Sequence, residues 1–397
     1  MQYRETITSY HKNQKLNNLQ PIIRFKMHFG GYKMIVFFKP QTLQDFMNNY
    51  FDYAASTPVS QYVLDAMKPW ESDKFANASS AHQAGRASAQ AIQEARESIA
   101  EKIGALPSEV IFTSGASEAN NLALKGVAFK HLKSKGHIIT SEIEHKCIIN
   151  TCAFLESIGF DVTYLAPDRD GRISSSSLEE EIRSDTILIS IHHVNNELGT
   201  IQPIEEFGAI AFEHNIPFHT DAAQSFCKCA IDVDDMDIDM LSLSGHKIYG
   251  PKGIGALYVR DARDSELVPL IHGGGQEAGL RGGTSPTPLI VGLAAAVESY
   301  PTQSGSFEKQ FLDVMAQFDF TRNGGPSVVP STWSVTFHSD EEVKRFTSEH
   351  PWLISQGSAC NALSNVASHV LTAIGMSEDV ARRTYRISLP PYQLSES

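Results

Sequence analysis

No apolar run in the 397-residue chain approaches the ~18 residues that suggest a membrane-spanning helix. Cysteine is scarce: Cys147, Cys152, Cys227, Cys229 and Cys360 are an odd number and form no C-x-x-C frame, so a disulfide scaffold is not expected. Cys227-Lys228-Cys229 is spaced too tightly for a structural zinc half-site and no matching pair flanks it, so no metal is expected either. Positive charge is also short, with 33 Lys and Arg against 46 Asp and Glu and a net charge of −13. That is the reverse of the basic footprint that neutralises nucleic-acid phosphates. Internal repeats, coiled-coil heptads and low-complexity tracts are missing too. With 42% hydrophobic residues there is ample material for a core. The expectation is a cytoplasmic globular protein whose partners are small molecules or proteins, with no direct contact to nucleic acid or membrane.

Charge is uneven along the chain. Residues 1–50 hold seven Lys or Arg against Glu5 and Asp45, so the acidic surplus lies in the rest. This segment lacks the long apolar core, small-residue cleavage site and Arg/Ser richness of targeting peptides. Residues 1–48 are therefore read as a loosely ordered basic extension.

From Phe75 to Val259 short β-type runs alternate with helical patterns. Val110–Thr113, His137–Thr140, Asp161–Leu165, Thr186–His192, Ile216–Thr220, Asp239–Leu243 and Gly255–Val259 read as strands. Ile92, Ala95, Ile99 and Ile103 share one helical face that Gly104 closes, and Ile204–His214 and Pro288–Tyr300 also read as helices. This rhythm predicts an α/β protein with a mostly parallel sheet flanked by helices. Past Tyr300 it breaks, and Trp333–Phe337, a helix near Glu341–Ser348, Trp352–Ser355 and a helix over Val366–Ile374 suggest a small α+β unit. The expected division is a large domain over 65–300 and a small domain over 49–64 and 301–397.

Ligands of open α/β sheets sit beyond the carboxyl ends of the strands, so the following loops should carry the chemistry. Thr113-Ser114-Gly115-Ala116-Ser117-Glu118 follows a strand and opens a helix, whose free N–H groups and dipole suit a phosphate. An ordinary helix cap has the same appearance. Ser244-Gly245-His246-Lys247 lies just past another strand, before the turn Tyr249-Gly250-Pro251-Lys252-Gly253. A lysine hemmed in there suits an imine-forming amine, although an isolated lysine is more commonly a solvated surface group. Asp221, at the end of the preceding apolar strand, shifts the reading, because pyridoxal phosphate needs an acidic partner at its ring nitrogen.

Further phrases accompany these: Phe51-Asp52-Tyr53-Ala54-Ala55-Ser56-Thr57-Pro58, Asn77-Ala78-Ser79-Ser80-Ala81-His82, Glu144-His145-Lys146, Val194-Asn195-Asn196-Glu197-Leu198-Gly199 and Gly357-Ser358-Ala359-Cys360. Taken in order from about Tyr50 to Leu389, the set resembles the class V, fold-type I pyridoxal-phosphate enzymes, and specifically the cysteine desulfurases of the NifS/IscS type. The resemblance implies that Ala116, Ser117, Ser244 and His246 hold the cofactor phosphate and that Lys247 holds its aldehyde carbon. It implies that His145 stacks on the ring and handles protons, that Asp221 pairs with the ring nitrogen and that Gln224 donates to the phenolic oxygen. Asn196 and Arg386 match positions that bind the substrate carboxylate, with Asn196 also beside the cofactor. Thr284, in Arg281-Gly282-Gly283-Thr284, matches a residue that reaches the phosphate of a neighbouring subunit, which implies a homodimer. Cys360, in a small-residue loop, matches the thiol that takes sulfur from L-cysteine as a persulfide and passes it to an acceptor protein. Iron–sulfur scaffold, tRNA thiolation and DNA phosphorothioation systems all draw on such enzymes. Cys147, Cys152, Cys227 and Cys229 lack this context and are assigned to packing.

Departures exist. Tyr53 and Ser56 stand where the family usually shows Asn and Thr, and Ala278 where Arg is common. After Leu389 the chain reads Pro390-Pro391-Tyr392, which does not continue as a helix, so the small domain is expected to lack a packing element. Two rival functions follow: an inactive scaffold for sulfur-accepting proteins, and a selenocysteine lyase or other class V enzyme. The intact Lys247, His145, Asp221 and Cys360 speak against the first, and Cys360 against a simple aminotransfer or elimination.

Overall fold

A computed structural model of the chain describes residues 23–29, 32–38, 49–303, 307–356 and 368–392. The chain divides into two units, Met1–Tyr50 and Phe51–Ser397. In the first, strands β1 (Ile23–Phe29) and β2 (Tyr32–Phe38) pair antiparallel, with Ile23 opposite Phe38.

The second unit is built on a seven-stranded sheet. Its strands are β3 (Val110–Thr113), β4 (His137–Ser141), β5 (Asp161–Leu165), β6 (Thr186–Ser190), β7 (Phe218–Asp221), β8 (Met240–Ser244) and β9 (Gly255–Val259), in the order β3-β9-β8-β7-β6-β4-β5. The five strands from β5 to β8 run parallel, and only β9 is antiparallel to its neighbours. The sequence accounts for a sheet covered on both faces. Successive side chains point to opposite faces, and here both members of each adjacent pair are apolar. Phe112, Ile139, Ile189, Leu241 and Tyr258 enter one core with the helices Gln83–Glu101, Ile204–Glu213 and Thr287–Glu298. Their neighbours Ile111, Ile138, Leu188, Met240 and Leu257 enter the other, with the helices Ala116–Lys130 and Lys146–Ser157. The predicted helical stripe of Ile92, Ala95, Ile99 and Ile103 is buried in the first core, and Gly104 follows its helix at φ +71°.

Four predicted strands differ at their ends, β4 by running one residue further to Ser141, β8 by lying one residue later at Met240–Ser244, and two more for identifiable reasons. β6 stops at Ser190 rather than His192 because the His192 amide donates to the Glu144 carboxylate at 3.0 Å, leaving the ladder on that side. β7 begins at Phe218 rather than Ile216 because the Ile216 amide closes the preceding helix on the Ala211 carbonyl.

A second, three-stranded antiparallel sheet comprises β10 (Phe320–Asn323), β11 (Thr332–Phe337) and β12 (Thr384–Ser388). β10 and β12 are short and partly polar, and the alternation pattern does not mark them. Phe311, Phe318, Phe337 and Phe346 pack over this sheet with Phe51 and Trp352, in an aromatic core separate from the other two. Phe51 and Trp352 stack with centroids 4.2 Å apart. The segment beginning at Phe51 runs along β12, with Asp52 bridging Ser388, and then crosses to the β8–β9 connection, where the Thr57 amide donates to the His246 carbonyl. Among the described residues no helix is long and apolar enough to cross a membrane.

β9 passes so close to the turn after β3 that a Cβ on Gly255 would lie 2.7 Å from the Gly115 Cα and collide with the Leu243 carbonyl. Gly255→Ala is therefore expected to cost about 1–3 kcal/mol of stability through overpacking. Urea unfolding of the two proteins measures it.

Candidate active site

A cavity of about 490 Å³ opens at the carboxyl ends of the parallel strands, where the topology predicts a ligand. One wall is the turn from β3 into the helix Ala116–Lys130. Gly115 takes φ +149°, a conformation that favours glycine, and the first-turn amides of the helix point at the cavity without intrahelical acceptors. Ser117, Ser244 and His246 line the same end. Burial would push the Glu118 carboxyl up, but the Ser114 amide and Arg281, the latter at 3.1 Å, hold it below its ordinary value. The amides and hydroxyls nearby therefore face an anion already committed elsewhere.

At the opposite end β7 delivers Asp221, only 7% exposed. Its two oxygens accept from the Ala223 amide at 2.9 Å and the Asn120 side chain at 2.7 Å. The second hydrogen of that Asn120 amide points to the Cys147 sulfur at 3.1 Å. His145 caps the helix Lys146–Ser157, and its Nδ1 accepts from the Cys147 amide at 3.2 Å. A backbone amide only donates, so the neutral ring carries its proton on Nε2. Burial lowers the His145 pKa against the pull of Asp221.

Lys247 ends the single helical turn Gly245–Lys247 after β8. Its Nζ donates to the carbonyls of Ala54 at 2.6 Å and Ala55 at 2.9 Å. Burial, then Arg386 and Lys228, bring its pKa down to about 7, with Asp221 and Asp52 pulling the other way. About half of the amine is thus unprotonated and nucleophilic at neutral pH. His246 is lowered to about 4, chiefly by burial and then by Lys247 and Lys252, so its ring is neutral.

Arg386, on β12 and 3% exposed, gives Nη2 to Asp52 at 2.6 Å and Nη1 to the Asn196 carbonyl at 2.8 Å. Its Nε is buried and has no hydrogen-bond partner among the described residues. Arg386 lines the cavity, and the planar fork of a guanidinium suits an incoming carboxylate.

The family model described as Aminotransferase class-V matches residues 49–397. A protein of Dictyoglomus turgidum named cysteine desulfurase IscS is 43% identical over 360 residues, 87% of this chain and 91% of that one. The chain belongs to the class V aminotransferase family, with the cysteine desulfurases. Among solved structures it is similar to one described as SspA in complex with cysteine, at 68% identity, covering 87% of this chain and 100% of that one, with a TM-score of 0.86. It is also similar to DndA from Streptomyces lividans, at 37% identity, 86% and 99% coverage and a TM-score of 0.72.

Of the residues predicted for a class V site, Ala116, Ser117, His145, Asn196, Asp221, Gln224, Ser244, His246, Lys247 and Arg386 all line this cavity. Thr284 does not; it is exposed on the loop after Gly283. Cys360 lies outside the described residues. Cys152, Cys227 and Cys229 are buried in the cores, as their assignment to packing requires. Cys147 packs against the second core as well, but it also lines the cavity, with its sulfur 3.0 Å from the His145 Nδ1. The sequence offered no signal for it beyond its place two residues after His145.

His192 is another cavity residue that sequence reasoning missed. Its Nδ1 pairs with Glu144 at 2.8 Å, and its Nε2 is buried with no partner among the described residues. Burial works against the Glu144 charge, yet His192 and the hydrogen bonds from His192 and Ser141 hold its carboxyl below the ordinary value.

Although Cys147 faces the cavity, burial and then Asp221 push its thiol up to about 12. The thiolate is the nucleophile, so iodoacetamide at pH 7.5 is expected to leave Cys147 unmodified under conditions that fully alkylate a free cysteine. Peptide mass spectrometry reads the outcome.

Proposed function

We propose that this chain is a pyridoxal-phosphate-dependent cysteine desulfurase that converts L-cysteine to L-alanine and holds the sulfur on Cys360 as a persulfide. The observation that carries the reading is the Lys247 amine, half-buried, about half unprotonated at neutral pH and sharing one cavity with a buried Asp221 and a helix N-terminus.

The cavity fits the cofactor at each end. The Ala116 helix terminus with Ser117, Ser244 and the neutral His246 supplies donors for a phosphate. Asp221, immobilised by Ala223 and Asn120, supplies an acceptor for a protonated ring nitrogen. Bound there, pyridoxal phosphate draws electrons from the substrate Cα, so that the bond from Cβ to sulfur becomes cleavable.

The protein's own groups do the rest. Lys247 supplies the amine to which the cofactor attaches, and it can accept or release a proton near pH 7. His145 lines the cavity with its proton on Nε2 and would lie against the cofactor ring to handle protons. Gln224 offers its amide hydrogens to the ring oxygen. Arg386, assisted by Asn196, takes the substrate carboxylate on its guanidinium fork, both residues lining the cavity. The Cys360 thiolate then attacks the substrate sulfur: a sulfur–sulfur bond forms, the carbon–sulfur bond breaks, and the carbon takes a proton to become alanine. Cys360 keeps the extra sulfur until an acceptor protein removes it.

The ends of the described chain agree with that role. Ser355 and Arg386 exchange two backbone hydrogen bonds, and Ser368 donates to Glu197, next to Asn196, at 2.5 Å. Cys360 is four residues past Gln356, a tether of at most about 14 Å. We propose further that the segments 49–64 and 301–397 form a small domain against the 65–300 large domain. Thr284 would serve the site of a second subunit in a homodimer.

Three outcomes test the reading. The purified protein should be yellow with bound cofactor, and Lys247→Ala should lose the colour and the turnover. Cys360→Ala should keep the colour but release no sulfide from cysteine in the presence of a reductant; undiminished turnover would sink the persulfide step. Cofactor attachment to stripped protein should accelerate as pH rises through about 7 and then level off, because only the unprotonated Lys247 amine reacts. Radiolabelled sulfur from cysteine then identifies the acceptor protein.

A further inference from the structure

Behind the cavity wall lies a lysine that this mechanism leaves unused. Lys228 is 3% exposed, and the ammonium's recorded partner among the described residues is the Gln224 Oε1, at 3.0 Å. No carboxylate pairs with it among those residues. A buried cation without a counter-charge is costly, and an apolar side chain of similar length would fill the space more cheaply. Stability does not explain it.

The hydrogen bonds running from it do. The other end of the Gln224 carboxamide donates from Nε2 to the Ala54 carbonyl at 2.8 Å, and that carbonyl also accepts Lys247 Nζ at 2.6 Å. An ammonium only donates and a carbonyl only accepts, so the two partners together leave the carboxamide one orientation. We infer that Lys228 is a positioning residue of the active site: it holds the Gln224 carboxamide with its oxygen turned away from the cavity and its NH2 turned toward Ala54, and it keeps a positive charge behind Lys247. Gln224 then offers only donors to a ligand, which suits an oxyanion on the ring. This rests on the cofactor reading above in naming that ligand, but not in naming the contacts.

Losing Lys228 removes a cation near Lys247 and frees the Gln224 oxygen to turn toward Ala54, where the Lys247 amine is held on the same carbonyl. Both changes favour the protonated amine. The other groups bearing on Lys247 are Arg386, Asp221, Asp52, His145 and His246, all of which the substitution leaves in place. Lys228 itself is brought down to about 8, first by burial, with Cys229 and Cys227 opposing and Arg386 assisting. It is therefore largely charged at neutral pH.

The test is the pH dependence of trace acetylation at Lys247 in full-length protein freed of bound aldehyde with hydroxylamine, read by mass spectrometry. The wild-type midpoint is expected near 7. In Lys228→Met the midpoint should rise by about one unit, with labelling at pH 7 reduced roughly threefold to tenfold. Lys228→Arg, which keeps the charge, should stay near the wild-type value. Lys228→Gln replaces the Met variant if the latter lacks a cooperative thermal transition, with the same upward shift expected. The Met substitution should shift the midpoint less in a Gln224→Leu background, because part of its effect passes through the carboxamide. A folded Met or Gln variant with the wild-type midpoint would overturn the proposal, and an equal shift with and without Gln224 would overturn the positioning role. Failure of the protein to take up pyridoxal phosphate would sink the proposed function and leave this result readable, since the signal is the amine's own.

Discussion

The carbonyl oxygen of Ala54 accepts the Lys247 amine and the Gln224 amide at once. Three parts of the fold meet on that atom. Ala54 belongs to the segment that leaves the aromatic core at Phe51 and runs along β12. Lys247 belongs to the turn after β8, and Gln224 to the loop after β7. The same segment supplies Asp52 to Arg386, so the three-stranded sheet reaches the cavity through residues 51–57 as well as through β12. The position of the reactive amine thus depends on the register of a segment nearly two hundred residues away in sequence. That register is set by Phe51 stacked on Trp352 and by the pairing of Asp52 with Ser388.

Charge follows the same geometry. Buried Lys228 and Arg386 bear on half-buried Lys247, opposed by Asp221 and Asp52. Like charges at short range in a poorly solvated space do not all persist. The guanidinium holds its proton under any ordinary condition, and Arg386 has Asp52 within 2.6 Å. The lysines therefore yield first, and Lys247, the more strongly lowered of the two, yields before Lys228. A nucleophilic amine at neutral pH is a consequence of this competition, with no base needed to create it. The positive surplus that remains suits ligands carrying phosphate and carboxylate.

Much of this was legible in the sequence, for reasons that can be stated residue by residue. The strands showed because both of their faces are apolar, and Asp221 and Lys247 stood out because each follows such a run. The chain resemblance added His145, Asn196, Gln224 and Arg386, which no periodicity marks. What stayed hidden depends on contacts between residues far apart in sequence. Asn120 reaches Asp221 across 101 positions, and His192 reaches Glu144 across 48. The Ala54 carbonyl has no side-chain signature at all. Cys147 looked like a packing residue because a lone buried cysteine ordinarily is one, and its contact with His145 arises only once His145 caps the helix.

The same dependence on distant contacts links the substrate site to the segment that carries Cys360. On one side, Ser355 is hydrogen-bonded to Arg386, whose guanidinium fork faces the cavity. On the other, Ser368 holds Glu197 and the His369 ring pairs with the Glu144 carbonyl at 2.9 Å, next to His145. Both anchors are therefore neighbours of groups assigned to the substrate or to proton transfer. A change at His145 is one peptide unit from the carbonyl that holds His369. The chain on either side of residues 357–367 is thus held by direct hydrogen bonds to residues that line the cavity or adjoin its lining.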